Sequence, residues 1–272
     1  MEIKSLDDKN LEDIARICVC DECVEWFAKD YDVNIKRVKE GFAKGKVMRV
    51  DWIKKRLPLG YGAKIAYEAE KPIGFIDYLP IEAQKESISG KDITLINCIF
   101  IIPGSRDKGY SKFLLYEAEE EAEKISRGIA VIAHKHPEWM PADYFAKRGY
   151  KVVDSQNGSI KQLLMFKKFQ PTESPKFLRQ KYGYKQKSKT GRVVVEIVWS
   201  GRCPHNQISV ELLKEVLDEF GDKVIIKEVI TNELESDVIR KYGLGYGIYV
   251  NGKPNFWLLG ASKEEIRQKI LS

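Results

Sequence analysis

Residues 99–115, with the sequence IFIIPGSRDKGYSKFLL, decide the fold of the first half of the chain. The run begins as an apolar strand, crosses a polar loop between Pro103 and Gly109, and enters an amphipathic helix predicted for 111–127. A helix N-terminus leaves backbone N–H groups without partners and carries a partial positive charge. This order of elements therefore predicts an anion site suited to a pyrophosphate.

The loop adds two cations and a glycine to this site. Arg106 and Lys108 neutralise negative charge, and Gly109 allows the backbone to approach a phosphate closely. The alternative is an ordinary basic turn before a helix, because a lone Arg-x-x-Gly pattern is weak. The surrounding elements favour the anion site. Among them is a second helix, predicted for 141–148, with Gly149 as a left-handed C-cap.

Strands and helices alternate around this segment. Hydrophobic periodicity predicts strands at 63–68, 72–80, 92–102, 129–133, 151–154 and 161–166, and helices at 11–19 (capped by Asn10), 47–56, 111–127 and 141–148. From Val193 the predicted order is β-α-β-α-β-β-α, with strands at 193–199, 224–230, 248–250 and 255–259 and helices at 206–220, 234–242 and 262–271. The fold class is therefore α/β (α+β) in both parts.

The pattern Arg106-x-x-Gly109-x-Ser111 resembles the Arg/Gln-x-x-Gly-x-Gly/Ala signature of GNAT N-acetyltransferases, with Ser111 departing from the final small residue. Arg148-Gly149-Tyr150 resembles a later element of that family, and the resemblance covers roughly 57–166. It implies the GNAT acyltransferase fold, acetyl-CoA as co-substrate and a small-molecule or peptide amine as acceptor. By resemblance, one set of residues binds the cofactor: Ile99, Phe100 and Ile101 along the pantetheine arm, and Arg106, Lys108, Gly109, Tyr110 and Ser111 around the pyrophosphate.

Acetyl transfer needs a base for the amine proton and an acid for the departing thiolate. Many family members use a Tyr four residues before the helix-ending Gly, where this sequence has Phe145. Tyr144 precedes it, and one residue turns a helical side chain by about 100°. The catalytic candidates are therefore Tyr144, Cys98 and His134; Tyr110 or water are alternatives for the acid. Cys98 is equally well interpreted as a small buried hydrophobe.

Five cysteines, an odd number, and the absence of an apolar signal sequence argue against a disulfide framework and favour a reducing cytoplasm. Cys18, Cys20 and Cys23 form the densest cluster. They either hold a soft metal ion or pack at a helix end as a reactive thiol, and we favour the second interpretation, with no metal site.

The segment from Val193 resembles a thioredoxin-like domain, in which a Cys lies at a helix N-terminus. Here that residue is Cys203, and Asn206 stands where a second Cys would complete a dithiol. The usual Pro before the third strand is also missing. With these two departures, the resemblance favours an interaction module slightly over a monothiol oxidoreductase.

The net charge of +6 is concentrated between these two parts. Residues 167–192 carry nine basic residues and one acid, while 1–166 is neutral and 193–272 is mildly acidic. We expect three segments: a GNAT domain at 1–168, a basic Pro- and Lys-rich linker at 169–191 and a thioredoxin-like domain at 192–272. Binding of nucleic acid through the linker is the least favoured function, and no apolar run approaches the roughly 18 residues of a membrane span.

The sequence thus predicts an acetyl-CoA-dependent N-acetyltransferase with an appended thioredoxin-like module, without nucleic-acid or membrane partners and with a homodimer left open. The alternative is a thiol- or metal-handling protein that acts through Cys203 and the Cys18/Cys20/Cys23 cluster, with CoA binding only regulatory.

Overall fold

The computed structural model describes residues 1–83, 88–135, 140–156, 161–178, 191–231, 238, 241–242, 247–255 and 262–271. Contacts divide the chain into two compact units. The first comprises Met1–Cys23 and Val50–Arg179, and the second Val24–Arg49 and Gln180–Ser272. Residues 24–49, which include most of α2 and α3 (Asp21–Asp30 and Ile35–Lys54), therefore cluster with the C-terminal part of the chain. None of the helices in the described ranges is long and apolar enough to cross a membrane.

The first unit is built on a seven-stranded sheet of order β1-β2-β3-β5-β6-β8-β7. Its strands are β1 (Glu2–Ser5), β2 (Gly62–Glu68), β3 (Lys71–Pro80), β5 (Thr94–Ile101), β6 (Gly128–His134), β7 (Lys151–Gln156) and β8 (Gln162–Lys168). Neighbouring strands are antiparallel except for β5 and β6, which are parallel. Two short strands, β4 (Ile88–Ser89) and β9 (Lys176–Phe177), pair with each other.

The helices in the first half of the chain are α1 (Leu11–Cys18), α2 (Asp21–Asp30), α3 (Ile35–Lys54), α4 (Tyr110–Ile125) and α5 (Ala142–Ala146). Both α1 and α4 pack against β3. The apolar side of α4 is buried through Leu114, Leu115, Ala118 and Ala122. Burial of this side covers the apolar sheet and fixes the position of the helix N-terminus.

Three local predictions need correction. Asn10 takes the N-cap position of α1 but makes no cap bond, because its Oδ1 accepts the Asp7 N–H at 2.8 Å and its Nδ2 donates to the Ser5 carbonyl at 2.9 Å. The pattern at 47–56 is the end of the 20-residue helix α3. The first part of the predicted linker is packed, since Phe177 is buried in an apolar cluster with Ile88. Residues 179–190 of the linker lie outside the described ranges.

The second unit contains a four-stranded sheet of order β11-β10-β12-β13. Its elements are β10 (Val193–Ser200), α6 (His205–Asp218), β11 (Val224–Thr231), β12 (Gly247–Val250), β13 (Lys253–Asn255) and α7 (Lys263–Leu271). The pair β10–β11 is parallel, whereas β10–β12 and β12–β13 are antiparallel. Most of the predicted helix 234–242 and strand 255–259 lies outside the described residues.

Two local predictions in this unit are confirmed. Asn251 and Gly252 both have positive φ, 49° and 77°, as a tight hairpin turn requires. The Ser262 Oγ accepts the Glu265 N–H at 3.2 Å, and the Glu265 carboxylate accepts the Ser262 N–H at 2.7 Å. This reciprocal pair is a capping box that begins α7.

Within the second unit, α3 packs closely on α6 because two glycines face it. A Cβ atom at Gly41 would lie 3.0 Å from the Ile208 Cβ, and one at Gly45 would overlap the Pro204 carbonyl oxygen and lie 2.9 Å from its Cα. The Phe42 ring stacks on His205 at 4.8 Å between centroids. Ion pairs flank the contact, Lys44 with Glu211 and Arg37 with Glu215. The small residues at positions 41 and 45 therefore allow backbone contact between the two segments.

We expect Gly45→Ala to destabilise the protein. Alanine in a helix interior gains about 1 kcal/mol over glycine, but forcing a methyl group against the Pro204 backbone costs about 1–3 kcal/mol. Thermal denaturation followed by circular dichroism should show a lower melting temperature. The control is Ala43→Val, an exposed position on the same helix, which should cost less. A melting temperature above that of the wild type for Gly45→Ala would contradict this packing.

Candidate functional site

A gap opens between the two parallel strands in the middle of the first sheet. The β5–β6 ladder runs from Thr94↔Ile129 to Ile96↔Val131 and ends there. Beyond it, within the described residues, the rest of β5 pairs with β3 on its other side, and the rest of β6 pairs with β8 and, at His134, also with Pro141. Residues 99–101 therefore present one backbone edge that is not used in the sheet, which is the arrangement that accepts an added strand.

A β-bulge lies at the start of this gap. Asp77 pairs with Cys98 and Tyr78 with Ile96, so that Asn97 is the extra residue of β5. Bulges bend a strand and redirect its side chains. Cys98 is half-buried, and Asp77, its direct cross-strand neighbour, is fully buried and accepts a 2.6 Å hydrogen bond from the Tyr61 hydroxyl. A carboxylate thus lies beside Cys98 on the same face of the sheet.

The loop after β5 leads to the N-terminus of α4. Gly109 is the residue before the helix and has φ +77°, a left-handed conformation that favours glycine. A Cβ atom built at Gly109 would meet no atom within 4 Å, so open space lies in front of it. Ser111, in the first helical turn, is half-buried. The predicted strand, loop and helix N-terminus are therefore present, with space where an anion can approach.

The basic and aromatic side chains of the loop already have partners. The Arg106 Nε donates to the Ile101 carbonyl at 3.4 Å. The Tyr110 hydroxyl donates to Glu68 Oε1 at 2.8 Å, and Lys108 Nζ lies 3.5 Å from Glu68 Oε2. These two neighbours, Tyr110 first, lower the pKa of Glu68. Glu68 therefore holds Lys108 and Tyr110 in place next to the helix N-terminus.

Tyr144 and Phe145 separate into different environments. Phe145 is fully buried in the core, whereas Tyr144 is half-buried next to Ser111. Burial is the largest effect on the Tyr144 pKa and raises it, although Ser111 and Arg148 lower it. The Arg148 guanidinium lies 3.6 Å from the centroid of the Tyr144 ring and donates to its carbonyl at 2.6 Å. The phenol is therefore protonated at neutral pH and held close to the first turn of α4.

His134 is the last residue of β6 and lies on the opposite side of the gap from the end of β5. It is 9% exposed, and its backbone N–H donates to the Met140 carbonyl at 2.9 Å. The last β5–β6 pair is Ile96↔Val131. Cys98 lies two residues beyond Ile96 in β5, and His134 lies three residues beyond Val131 in β6, so both flank the gap.

Of the three clustered cysteines, Cys20 and Cys23 form a close pair, and Cys18 lies on the preceding helix. Cys18 ends α1, and Cys20 immediately precedes α2, so the helix breaks at Val19–Cys20. The Cys20 and Cys23 sulfurs lie 3.0 Å apart. No group of three His, Cys, Asp or Glu side chains in the described part of the chain is arranged to hold a metal ion. All five cysteines are described, and none forms a disulfide.

Cys203 lies before the N-terminus of α6, as predicted, and its side chain is half-buried. Burial raises the pKa of its thiol, although backbone N–H groups of His205 and Asn206 lower it. In the same unit, Gly45 of α3 lies against Pro204, the residue after Cys203. The Arg49 Nη1 donates to the Arg202 carbonyl at 2.6 Å. Helix α3 thus lies against the segment that carries this thiol, and the thiol form is favoured at neutral pH.

Three acids of the site were not predicted from the sequence. Glu68 holds Lys108 and Tyr110, Asp77 lies beside Cys98, and Glu22 accepts the Gly104 N–H at 2.6 Å. Asp77 is a lone acid in an otherwise apolar strand, a signal that points to a buried polar role. Glu22 and Glu68 lie far from the loop in sequence, so their roles depend on tertiary packing.

Residues 20–150 match the family described as Acetyltransferase (GNAT) family. The matched segment contains the diverging strands, the Arg106–Ser111 loop and α5. This segment therefore matches a GNAT acetyltransferase domain. The family match confirms the predicted enzyme class, an N-acetyltransferase, and its predicted co-substrate, acetyl-CoA. No protein of curated function matches the chain in sequence.

Several solved structures are similar to the chain. The PaiA N-acetyltransferase from Thermoplasma acidophilum, in complex with coenzyme A, is 22% identical, with 62% of this chain and 99% of that chain covered and a TM-score of 0.42. An aminoglycoside 6'-acetyltransferase type Ii is 16% identical, covering 63% and 99%, with a TM-score of 0.44. A GNAT family acetyltransferase from Brucella melitensis, in complex with acetyl-CoA, is 13% identical, covering 64% and 90%, with a TM-score of 0.41. At these identities and TM-scores, the assignment rests on the family match alone.

Proposed function

We propose that the protein transfers the acetyl group of acetyl-CoA, bound in the gap between β5 and β6, to the amine of a small molecule or peptide. One observation carries this assignment: the gap begins at the Asn97 bulge and continues into a left-handed Gly109 at the N-terminus of α4. The backbone edge can pair with the amides at one end of a ligand, and the helix N-terminus that follows it can bind a pyrophosphate at the other end.

The cofactor contacts follow from this placement. The backbone of Ile99, Phe100 and Ile101 pairs with the amides of the pantetheine arm, as an added strand would. The N–H groups of Tyr110 and Ser111 face the pyrophosphate, and Arg106 and Lys108 supply positive charge. The ion pair of Lys108 is with an exposed carboxylate, Glu68, so Lys108 can exchange that partner for phosphate at little cost.

Tyr144 is the proposed general acid. Its pKa is raised, so the hydroxyl carries its proton at neutral pH and can give it to the departing thiolate. Its closeness to Ser111, in the first turn of α4, supports this proposal. Cys98 and His134 flank the gap from its two sides, and we assign them to the acceptor end, where the amine must lose its proton.

The second unit is proposed as a thioredoxin-like module. The sheet order β11-β10-β12-β13, with its one parallel pair, supports this proposal. The raised pKa of Cys203 and the closeness of α3 favour an interaction module over a thiol oxidoreductase at this position. Cytoplasmic location and a homodimer stay predictions.

Gly109→Glu should abolish acetyl-CoA binding measured by isothermal titration calorimetry. The new side chain fills the open space and brings a negative charge to the place assigned to the pyrophosphate. Gly191→Glu is a matched control, since Gly191 also has a positive φ, 72°, with no atom within 4 Å of a Cβ. Unchanged binding by Gly109→Glu, or equal loss in both variants, would argue against the proposed site.

Tyr144→Phe should lower kcat for acetyl transfer by roughly 10²-fold or more, the typical contribution of a general acid. The Kd for acetyl-CoA should change little, because only the hydroxyl is removed. Steady-state kinetics with a permissive amine and calorimetry give the two values. Tyr116→Phe, at an exposed position on α4, is the control and should leave both unchanged. An unchanged kcat for Tyr144→Phe would exclude Tyr144 as the acid.

A further inference from the structure

The Cys20-Asp21-Glu22-Cys23 segment has the geometry of a dithiol pair. Cys20 directly precedes α2 and Cys23 lies in its first turn, so their side chains are three residues apart on one face of the helix. Their sulfurs lie 3.0 Å apart, within reach of a bond after a small rotation. Neither acetyl transfer nor cofactor binding uses this pair.

The two thiols have different environments. Cys20 is half-buried, whereas Cys23 is fully buried and its sulfur also contacts the Ile17 carbonyl at 3.4 Å. The hydrogen bond between the two sulfurs, together with those from the Cys23 and Glu22 backbone N–H groups, lowers the pKa of Cys20 to about 7. The same hydrogen bond and burial raise the pKa of Cys23. An accessible thiolate with a buried thiol behind it is the asymmetry needed for an attacking and a resolving sulfur.

The start of α2 is anchored, which holds the sulfurs in place. Glu22 lies between the two cysteines, and its carboxylate accepts the Gly104 N–H at 2.6 Å. Lys71 Nζ lies 3.6 Å from the same carboxylate. The dithiol is therefore fixed against the loop that precedes α4, and closing a disulfide needs little backbone rearrangement.

We propose that Cys20 and Cys23 are a redox-active dithiol that exchanges with low-molecular-weight disulfides. The Cys20 thiolate attacks a disulfide RS–SR, forming Cys20–S–SR and releasing RS⁻. The Cys23 sulfur, losing its proton, then attacks the Cys20 sulfur and releases the second RS⁻. The protein loses two electrons and two protons, and RSSR is reduced to two RSH. Cys18, at the end of α1, takes no part.

The test is equilibration of the full-length protein with glutathione and glutathione disulfide at increasing ratios of the disulfide. Thiol counts and intact masses should show loss of two of the five thiols, with loss of two hydrogen atoms in mass. Digestion without reductant should place the disulfide in a peptide that contains Cys20 and Cys23. The control variants Cys18→Ser and Cys203→Ser should form the same disulfide at the same ratio.

Single substitutions separate the two roles. Cys23→Ser should accumulate a Cys20–glutathione mixed disulfide, whereas Cys20→Ser should leave Cys23 as a thiol. Circular dichroism of each variant checks that the fold is kept. The proposal is overturned if the wild type keeps five thiols at every ratio, if the disulfide contains Cys18, or if Cys20→Ser forms the mixed disulfide at Cys23.

Discussion

The proposed site depends on one constraint, the loss of pairing between β5 and β6 after Ile96↔Val131. Parallel neighbours in a sheet normally pair along their whole length, because buried backbone groups need hydrogen-bond partners. Here the Asn97 bulge bends β5, and the residues that follow pair on one side only. The unused backbone edge leads directly to the N-terminus of α4, and this continuity is the basis of the proposed acetyl-CoA site.

The polar side chains around this gap are fixed by partners from distant parts of the first unit. Glu68 from the end of β2 holds Lys108 and Tyr110, and Glu22 from the start of α2 holds the loop at Gly104. In the second unit, the glycines of α3 bring that helix against the segment of Cys203. The segment before Val50 therefore contributes to both units, with a dithiol at its beginning and a packing surface further along.

Local signals predicted most of the strands, the loop and α4, because apolar periodicity and Gly109 are properties of short segments. Not every apolar residue of α4 is buried, since Phe113 and Ile125 are exposed, whereas Leu115 is buried. Strand β1 and helix α2 were missed, since β1 is only four residues long and α2 is amphipathic with many charges. The Tyr144–Ser111 contact and the Cys20–Cys23 pair depend on tertiary geometry and on the exact point where α1 ends.

The central claim is that acetyl-CoA lies along β5 and ends at the first turn of α4. Amide hydrogen exchange, measured with and without acetyl-CoA, tests it most directly. The account predicts slower exchange on binding at Ile99–Ile101 and Tyr110–Lys112, with no change in β10 or β11. Binding without added protection of β5, or with protection confined to the second unit, would contradict it.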